Sequence, residues 1–174
     1  MILGAVLAGG ASRRFGSDKA LAELDGHTLI QLTVDALARQ CDGVVVIGRQ
    51  IAPAATLPDW PRPGMGPLGG LAAALRHALE AGYDAVLSCS VDAALLPGDL
   101  LQSLQPAPAY VATQPVIGLW PAAAAFEAEA LLRESGRHSM YRFAERLGAR
   151  AVSTAGAIPN VNTPGDLADL CRQR

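Results

Sequence analysis

At 174 residues the chain has the length of one common domain, long enough to bury a core without disulfide or metal staples, so a single domain over residues 1–174 is expected. It is 51% hydrophobic and 17% charged, but Gly, Pro and Asp break the apolar residues into short runs, none of them of bilayer-spanning length, which argues against a membrane protein. A formal net charge of −2 provides no basic footprint for displacing counterions from a duplex, so nucleic acid is not an expected partner, whereas a single nucleotide fits.

Ile2 to Ala8 is a short apolar run ended by Gly9-Gly10, the pattern of a strand buried on both faces. No basic segment precedes it, so it reads as a strand and not as a signal peptide. Thr28 can cap a helix through about Gln40, with Gln31 completing a capping box and Leu29, Leu32, Ala36 and Leu37 forming the apolar stripe. Gly43 to Ile47 repeats the buried-strand pattern. A Pro/Gly-rich stretch, Pro58 to Gly70, reads as a site loop. Leu71 to Leu79 then predicts a second helix and Ala85 to Val91 a third strand ending at Asp92. Pro97 suits the first position of a short helix through Leu104. Tyr110 to Trp120 predicts one or two strands broken at Gln114-Pro115, followed by helices over Ala122 to Leu132 and Ser139 to Leu147. The tail shows a strand near Ala151, an extended Asn160-Val161-Asn162 and a last helix capped by Thr163, with Pro164 at its first position. Cys41, Cys89 and Cys171 have neither CxxC nor metal-ligand spacing, so a reduced, cytoplasmic chain is expected.

Strands alternating with helices predict an α/β fold: a three-layer α/β/α sandwich around a Rossmann-like, mostly parallel sheet. In such sheets ligands bind beyond the carboxyl ends of the strands. That rule selects the loop after Ala8, the residues after Ile47 and the strand end at Asp92.

The strongest local signal is Leu7-Ala8-Gly9-Gly10-Ala11-Ser12-Arg13-Arg14-Phe15-Gly16-Ser17-Asp18-Lys19. Two glycines after a buried strand let the backbone turn and approach a ligand with free N–H groups, and two arginines and a lysine add full positive charge. Triphosphate chemistry requires this combination, because the leaving pyrophosphate develops further negative charge. The stretch is neither a GxxxxGK[ST] loop nor a GxGxxG fingerprint, and a surface turn with solvated basic residues is the competing reading. Asp92 ends a buried strand, where an ionised carboxylate needs a partner; a magnesium ion bridging it to a triphosphate supplies one, and a simple turn cap is the alternative.

Leu7 to Lys19 resembles the LAGGxSxRMGxDK signature of the molybdenum cofactor nucleotidyltransferases, in particular the molybdenum cofactor guanylyltransferases, with Phe15 where Met is usual. Three further stretches follow in family order. Gly66-Pro67-Leu68-Gly69-Gly70 resembles GPLAG, Val91-Asp92 with Leu96-Pro97-Gly98-Asp99-Leu100 resembles CDxPxLPxDL, and Asn160 to Leu167 resembles NxNTPxDL.

The resemblance implies a nucleotide-diphospho-sugar transferase type of fold and transfer of GMP from GTP to the molybdopterin (molybdenum) cofactor, releasing pyrophosphate with the help of Mg2+. It implies that Leu7, Ala8, Gly9, Gly10 and Gly70 contact the nucleotide, that Lys19 binds its phosphates, that Arg14 stabilises the departing pyrophosphate and that Asp92 holds the metal. Asp59 falls where the family has an acidic residue before GPLAG; a carboxylate there accepts from both the ring N–H and the amine of guanine, although Asp is also an ordinary turn residue. Asn160 and Asn162 are candidate contacts of the acceptor or the metal region, with ordinary turn chemistry before a capped helix as the alternative; Arg137 is a candidate for the acceptor's phosphate, with a helix start as the alternative. Transient contact with cofactor-supplying or cofactor-accepting proteins is compatible with the resemblance. His27 and His77 lack partners at metal-ligand spacing. Two departures stand out: Ala93-Ala94 follow Asp92 where a polar or Met residue and Pro are usual, and Ile47 stands where a polar base-contacting residue can occur, leaving Gly48, Arg49 or a backbone group as substitutes. The competing functions are a relative using CTP or a sugar phosphate acceptor, and a nucleotide-binding homologue without turnover.

Overall fold

A computed structural model of the protein describes residues 1–9, 18–93, 95–154 and 156–172. In chain order the elements are β1 (Ile2–Leu7), the hairpin strands β2 (Glu23–Leu24) and β3 (His27–Thr28), α1 (Leu29–Ala38), β4 (Gly43–Ile47), β5 (Ala55–Leu57), α2 (Gly66–Ala81) and β6 (Ala85–Ser90). There follow α3 (Leu100–Leu104), β7 (Ala109–Val111), β8 (Gln114–Pro121), α4 (Ala125–Arg133), α5 (Met140–Arg146), β9 (Arg150–Val152) and α6 (Pro164–Arg172). Two single 3-10 turns, Lys19–Leu21 and Ala122–Ala124, precede β2 and α4.

The main sheet has seven strands in the order β5-β4-β1-β6-β8-β7-β9. β5, β4, β1 and β6 pair in parallel, as do β7 and β9; β8 alone runs against its neighbours. This is the mostly parallel α/β sandwich that the alternating elements predict.

Side chains of one strand point alternately to the two faces, and β1 separates two cores accordingly. Leu3, Ala5 and Leu7 face a core built with α2, α4 and α5, through Leu68, Leu71, Leu75, Leu131 and Phe143. Val6 and Ala8 face the other, with Leu29 and Leu37 of α1, Leu100 and Leu104 of α3, and Leu170 of α6. Full burial of a Leu or Phe contributes roughly 1.5–3 kcal/mol each. Trp120 on β8 is completely buried against the Phe143 ring, at a centroid distance of 5.1 Å. Its indole N–H donates to Ser88 Oγ (2.9 Å), and that hydroxyl donates to the Val116 carbonyl (2.7 Å), so neither polar group is stranded in the core.

Three boundaries and one helix cap differ from expectation. α2 starts at Gly66, with Pro67 in its first turn, so Gly69 and Gly70 are helical and the site loop is shorter than Pro58 to Gly70; proline lacks only an N–H that a first turn leaves unbonded anyway. α3 begins at Leu100, after a turn in which Leu100 N–H bonds to the Pro97 carbonyl. The β7–β8 hairpin turns at Ala112-Thr113, and Pro115 lies inside β8 where the register shifts between Tyr110 and Val111, a place that spares the ladder a missing N–H. At α1, Thr28 accepts from Gln31 N–H, but the Gln31 side chain donates to Asp35 instead of closing the box. Among the described residues no helix is long and apolar enough to cross a membrane.

Candidate active site

The carboxyl ends of β1, β4 and β6 lie side by side, as the strand order requires. Ala8 N–H donates to the Ile47 carbonyl (3.0 Å) and Val91 N–H to the Leu7 carbonyl (3.3 Å), which extends the ladder on both sides of the β1 exit. Leu7 and Ala8 are buried there. Beyond them the backbone of Gly9 lies against that of Gly48: a Cβ on Gly48 would stand 2.6 Å from Gly9 Cα, and Gly48 has φ +84°. Only glycine meets both conditions. Gly10, Arg14 and Ala94 lie outside the described residues.

Asp59 follows β5 in a turn that returns to α2, and three glycines make room for its carboxylate. A Cβ on Gly9, Gly48 or Gly70 would come within 3.4–3.5 Å of an Asp59 oxygen. Burial raises the Asp59 pKa above the usual carboxylate value, against the lowering effect of the Gly64 N–H. The carboxylate lines a cavity of about 490 Å³ with Gly48, Arg49, Gln50, Thr56 and Pro63. Trp60, the next residue, fixes the turn from behind. Its N–H donates to the Gly69 carbonyl (3.1 Å), and the Arg76 and Arg133 guanidinium carbons each lie 5.5 Å from its ring centroid. Glu129 holds both arginines, at 2.7 Å and 3.2 Å.

Lys19 and Asp92 meet on the other side of β1. Lys19 is 8% exposed, and its ammonium lies 2.7 Å from Asp92 Oδ1. A buried ammonium requires such a partner, and Asp92 at the end of β6 provides it. The turn that carries Asp92 is held by backbone bonds: Val161 N–H donates to the Asp92 carbonyl (3.0 Å) and Ala93 bridges to Asn160. Ala93 is fully buried in this bridge, so the small residue after Asp92 is one that the tail strand packs against directly.

The tail segment is anchored in turn by α6. Asp166 accepts from the N–H groups of Asn162 and Thr163 (2.8 Å each), while Thr163 Oγ1 accepts from Asp166 N–H (3.1 Å), a reciprocal cap. These backbone donors, with a smaller contribution from the Lys19 charge, hold the Asp166 carboxyl below its ordinary pKa. Asn160 is exposed and lines a second cavity of about 640 Å³ with Val111, Thr113, Gln114, Ser153 and Thr154. Arg137 is exposed in the connection between α4 and α5 and lines neither cavity.

Two pairings have no signal in the sequence. Arg49 donates to both carboxylate oxygens of Asp18, at 2.9 Å and 2.6 Å, across 31 residues. Trp60 with Arg76 and Arg133 joins three elements. In both cases the partners are far apart in the chain, and no local pattern joins them.

The family model of the MobA-like NTP transferase domain matches residues 4–151. A molybdenum cofactor guanylyltransferase of Acidiphilium cryptum is 37% identical, over 93% of this chain and 90% of its own length. One of Rhodobacter capsulatus is 34% identical, over 96% and 93%. The crystal structure of molybdopterin-guanine dinucleotide biosynthesis protein A from Archaeoglobus fulgidus, 22% identical, superposes with a TM-score of 0.78, covering 99% of this chain and all of the other, and so shares the fold. On the extent of the family match and the identity to relatives aligned over nearly their whole length, the chain belongs to the MobA-like NTP transferase domain family.

Proposed function

We propose that this protein transfers GMP from GTP to molybdopterin or its molybdenum-loaded form, making the guanine dinucleotide cofactor and releasing pyrophosphate. The observation that carries the reading is the convergence, at three adjacent strand ends, of a glycine-cradled carboxylate on one side of β1 and a buried lysine–carboxylate pair on the other. The relatives named as guanylyltransferases support the same assignment.

In this reading the cavity at Asp59 takes the base. Guanine presents adjacent N1–H and N2–H donors, and one carboxylate can accept from both, whereas cytosine offers a single amino donor beside acceptors that a carboxylate repels. GTP is therefore favoured over CTP. Leu7, Ala8, Gly9 and Gly70 would lie along the nucleoside, with Gly10 and Arg14 near the phosphates. Lys19 would exchange its contact with Asp92 for a phosphate oxygen. The Asp92 carboxylate suits magnesium, which uses one or two carboxylates and fills its remaining positions with phosphate and water oxygens. Among the described residues no cluster of three or more His, Cys, Asp or Glu forms a complete cage, and such an ion does not need one. When bound, magnesium neutralises phosphate charge in the transition state.

The chemistry is in-line displacement. A phosphate oxygen of the acceptor forms a bond to the α-phosphorus of GTP as the bond from that phosphorus to the bridging oxygen of the β-phosphate breaks, and that oxygen leaves on pyrophosphate. The protein contributes position and charge in place of a covalent intermediate. The acceptor would occupy the cavity beside Asn160, with Asn162 and Arg137 as further candidate contacts. Transient docking of proteins that deliver or collect the cofactor, and a cytoplasmic location, complete the reading.

The backbone bridge at Ala93 supports turnover over mere nucleotide binding, because it holds Asp92 without help from the side chain that follows. The test is pyrophosphate release with GTP, molybdopterin and magnesium. Lys19→Ala and Asp92→Ala are expected to lose at least a hundredfold in kcat/KM, about the cost of removing one group that stabilises developing charge in the transition state. Normal turnover in both variants would remove these residues from the site.

A further inference from the structure

The Asp18–Arg49 pair is not needed for capping. Asp18 already accepts from Ala20 N–H (3.2 Å) as the cap of the Lys19–Leu21 turn, and its side chain is 43% exposed. The Arg49 side chain is 19% exposed, so the pair is half open to water and contributes only modestly to folding. Its position is more informative. Gly9 and Asp18 bound residues 10–17, and both are fastened to the same dipeptide, Gly48-Arg49: Gly9 by backbone packing against Gly48, Asp18 by two charge-assisted hydrogen bonds from Arg49. Gly48 and Arg49 also line the cavity that holds Asp59. Lys19, directly after Asp18, is paired with Asp92.

We propose that Arg49 is a positioning residue which, through Asp18, fixes the phosphate-binding lysine turn to the rim of the base cavity, so that base and phosphate contacts are made at one set separation. The proposal rests on the nucleotide reading above. A guanidinium suits the task, because its planar fork fixes both direction and distance to a carboxylate where an ammonium fixes only distance. Two of its five N–H groups make the pair. The same contact holds the Asp18 carboxyl below its usual pKa, so the pair stays charged throughout the neutral range.

Asp18→Asn keeps a good capping side chain while removing the charge; Arg49→Gln removes the other partner. Both, their double variant and Arg49→Lys are compared with the parent by hydrogen exchange of the nucleotide-free protein and by calorimetric titration with GTP. The expected result is faster exchange at the amides of Leu21 and Ala22, which bond to the carbonyls of Asp18 and Lys19, with only a small fall in Tm. GTP should bind about tenfold more weakly in each single variant and no more weakly in the double, as for two halves of one device. Arg49→Lys should fall between parent and Arg49→Gln. Parent-like exchange at Leu21 and Ala22, or effects on GTP affinity that add in the double variant, would overturn the proposal. If the parent itself took up no GTP, the guanine reading would fall, and the exchange data would still decide on Arg49.

Discussion

The proposed role of Asp59 in base binding carries a cost in the stability of the nucleotide-free protein. Its folded pKa lies above the ordinary carboxylate value of about 3.9. The folded state thus holds this proton more tightly than the unfolded one, and the side chain costs stability as pH rises from that ordinary value through the folded pKa. Asp59→Asn should therefore raise the Tm of the nucleotide-free protein at pH 7, by differential scanning calorimetry, while lowering GTP affinity roughly a hundredfold, since an amide N–H₂ then faces the guanine donors. For the parent, GTP affinity should fall as pH drops through the folded pKa of Asp59. The cysteines differ by burial: the Cys41 thiol is pushed up to about 12 and Cys89 higher still, both mainly by desolvation, whereas Cys171 is exposed. A thiol reagent at pH 8, followed by peptide mass mapping, should modify Cys171 first and leave Cys89 untouched in the folded protein.

At the scale of elements, the turn from β5 to α2 decides where Asp59 points, and Trp60 holds that turn against α2 and α4. Trp60→Ala should raise KM for GTP several-fold with a smaller change in kcat, because in the proposed site the ring positions a binding contact and no reacting atom. Steady-state pyrophosphate release resolves the two parameters. A second prediction concerns β8. Gly118 leaves space that a Cβ would fill at 2.5 Å from the Trp120 ring, so Gly118→Ala should destabilise by about 1–3 kcal/mol in urea unfolding. Most elements were legible in the sequence because period-2 and period-3.6 patterns report burial directly, as at β1, β4, β6 and α1. The hairpin of β2 and β3 was not read, although Asp25-Gly26 supplies its turn with φ of 54° and 78°; two-residue strands are too short to show periodicity. β5 escaped for the same reason. The start of α2 was misplaced because Gly and Pro signal a loop locally, while packing of Leu68 and the fit of Gly70 beside Leu7 and Asp59 favour helix from Gly66.

For the whole molecule, the parallel order β4-β1-β6 is what turns four separated sequence stretches into one site. Lys19, Asp59 and Asp92 each stand out singly in the sequence: Lys19 in a loop that carries Gly9-Gly10 and two arginines, Asp92 as a charge at a buried strand end, and Asp59 by its place before the GPLAG-like stretch. Their pairings do not: Asp18 with Arg49 and Trp60 with two arginines depend on sheet order and helix packing, which no local pattern encodes. A nucleotide bridging three strand ends should stabilise the fold as a whole. At a hundredfold excess over Kd the linkage is about 2.7 kcal/mol, or a Tm rise of roughly 5–10 °C for a domain of this size, readable by thermal shift with GTP and magnesium. The most direct test of the central claim is pyrophosphate release measured side by side with GTP, CTP and ATP, using molybdopterin as acceptor. Release with GTP at least a hundredfold above the other two is the predicted result; equal or greater release with CTP, or none with any triphosphate, would contradict it.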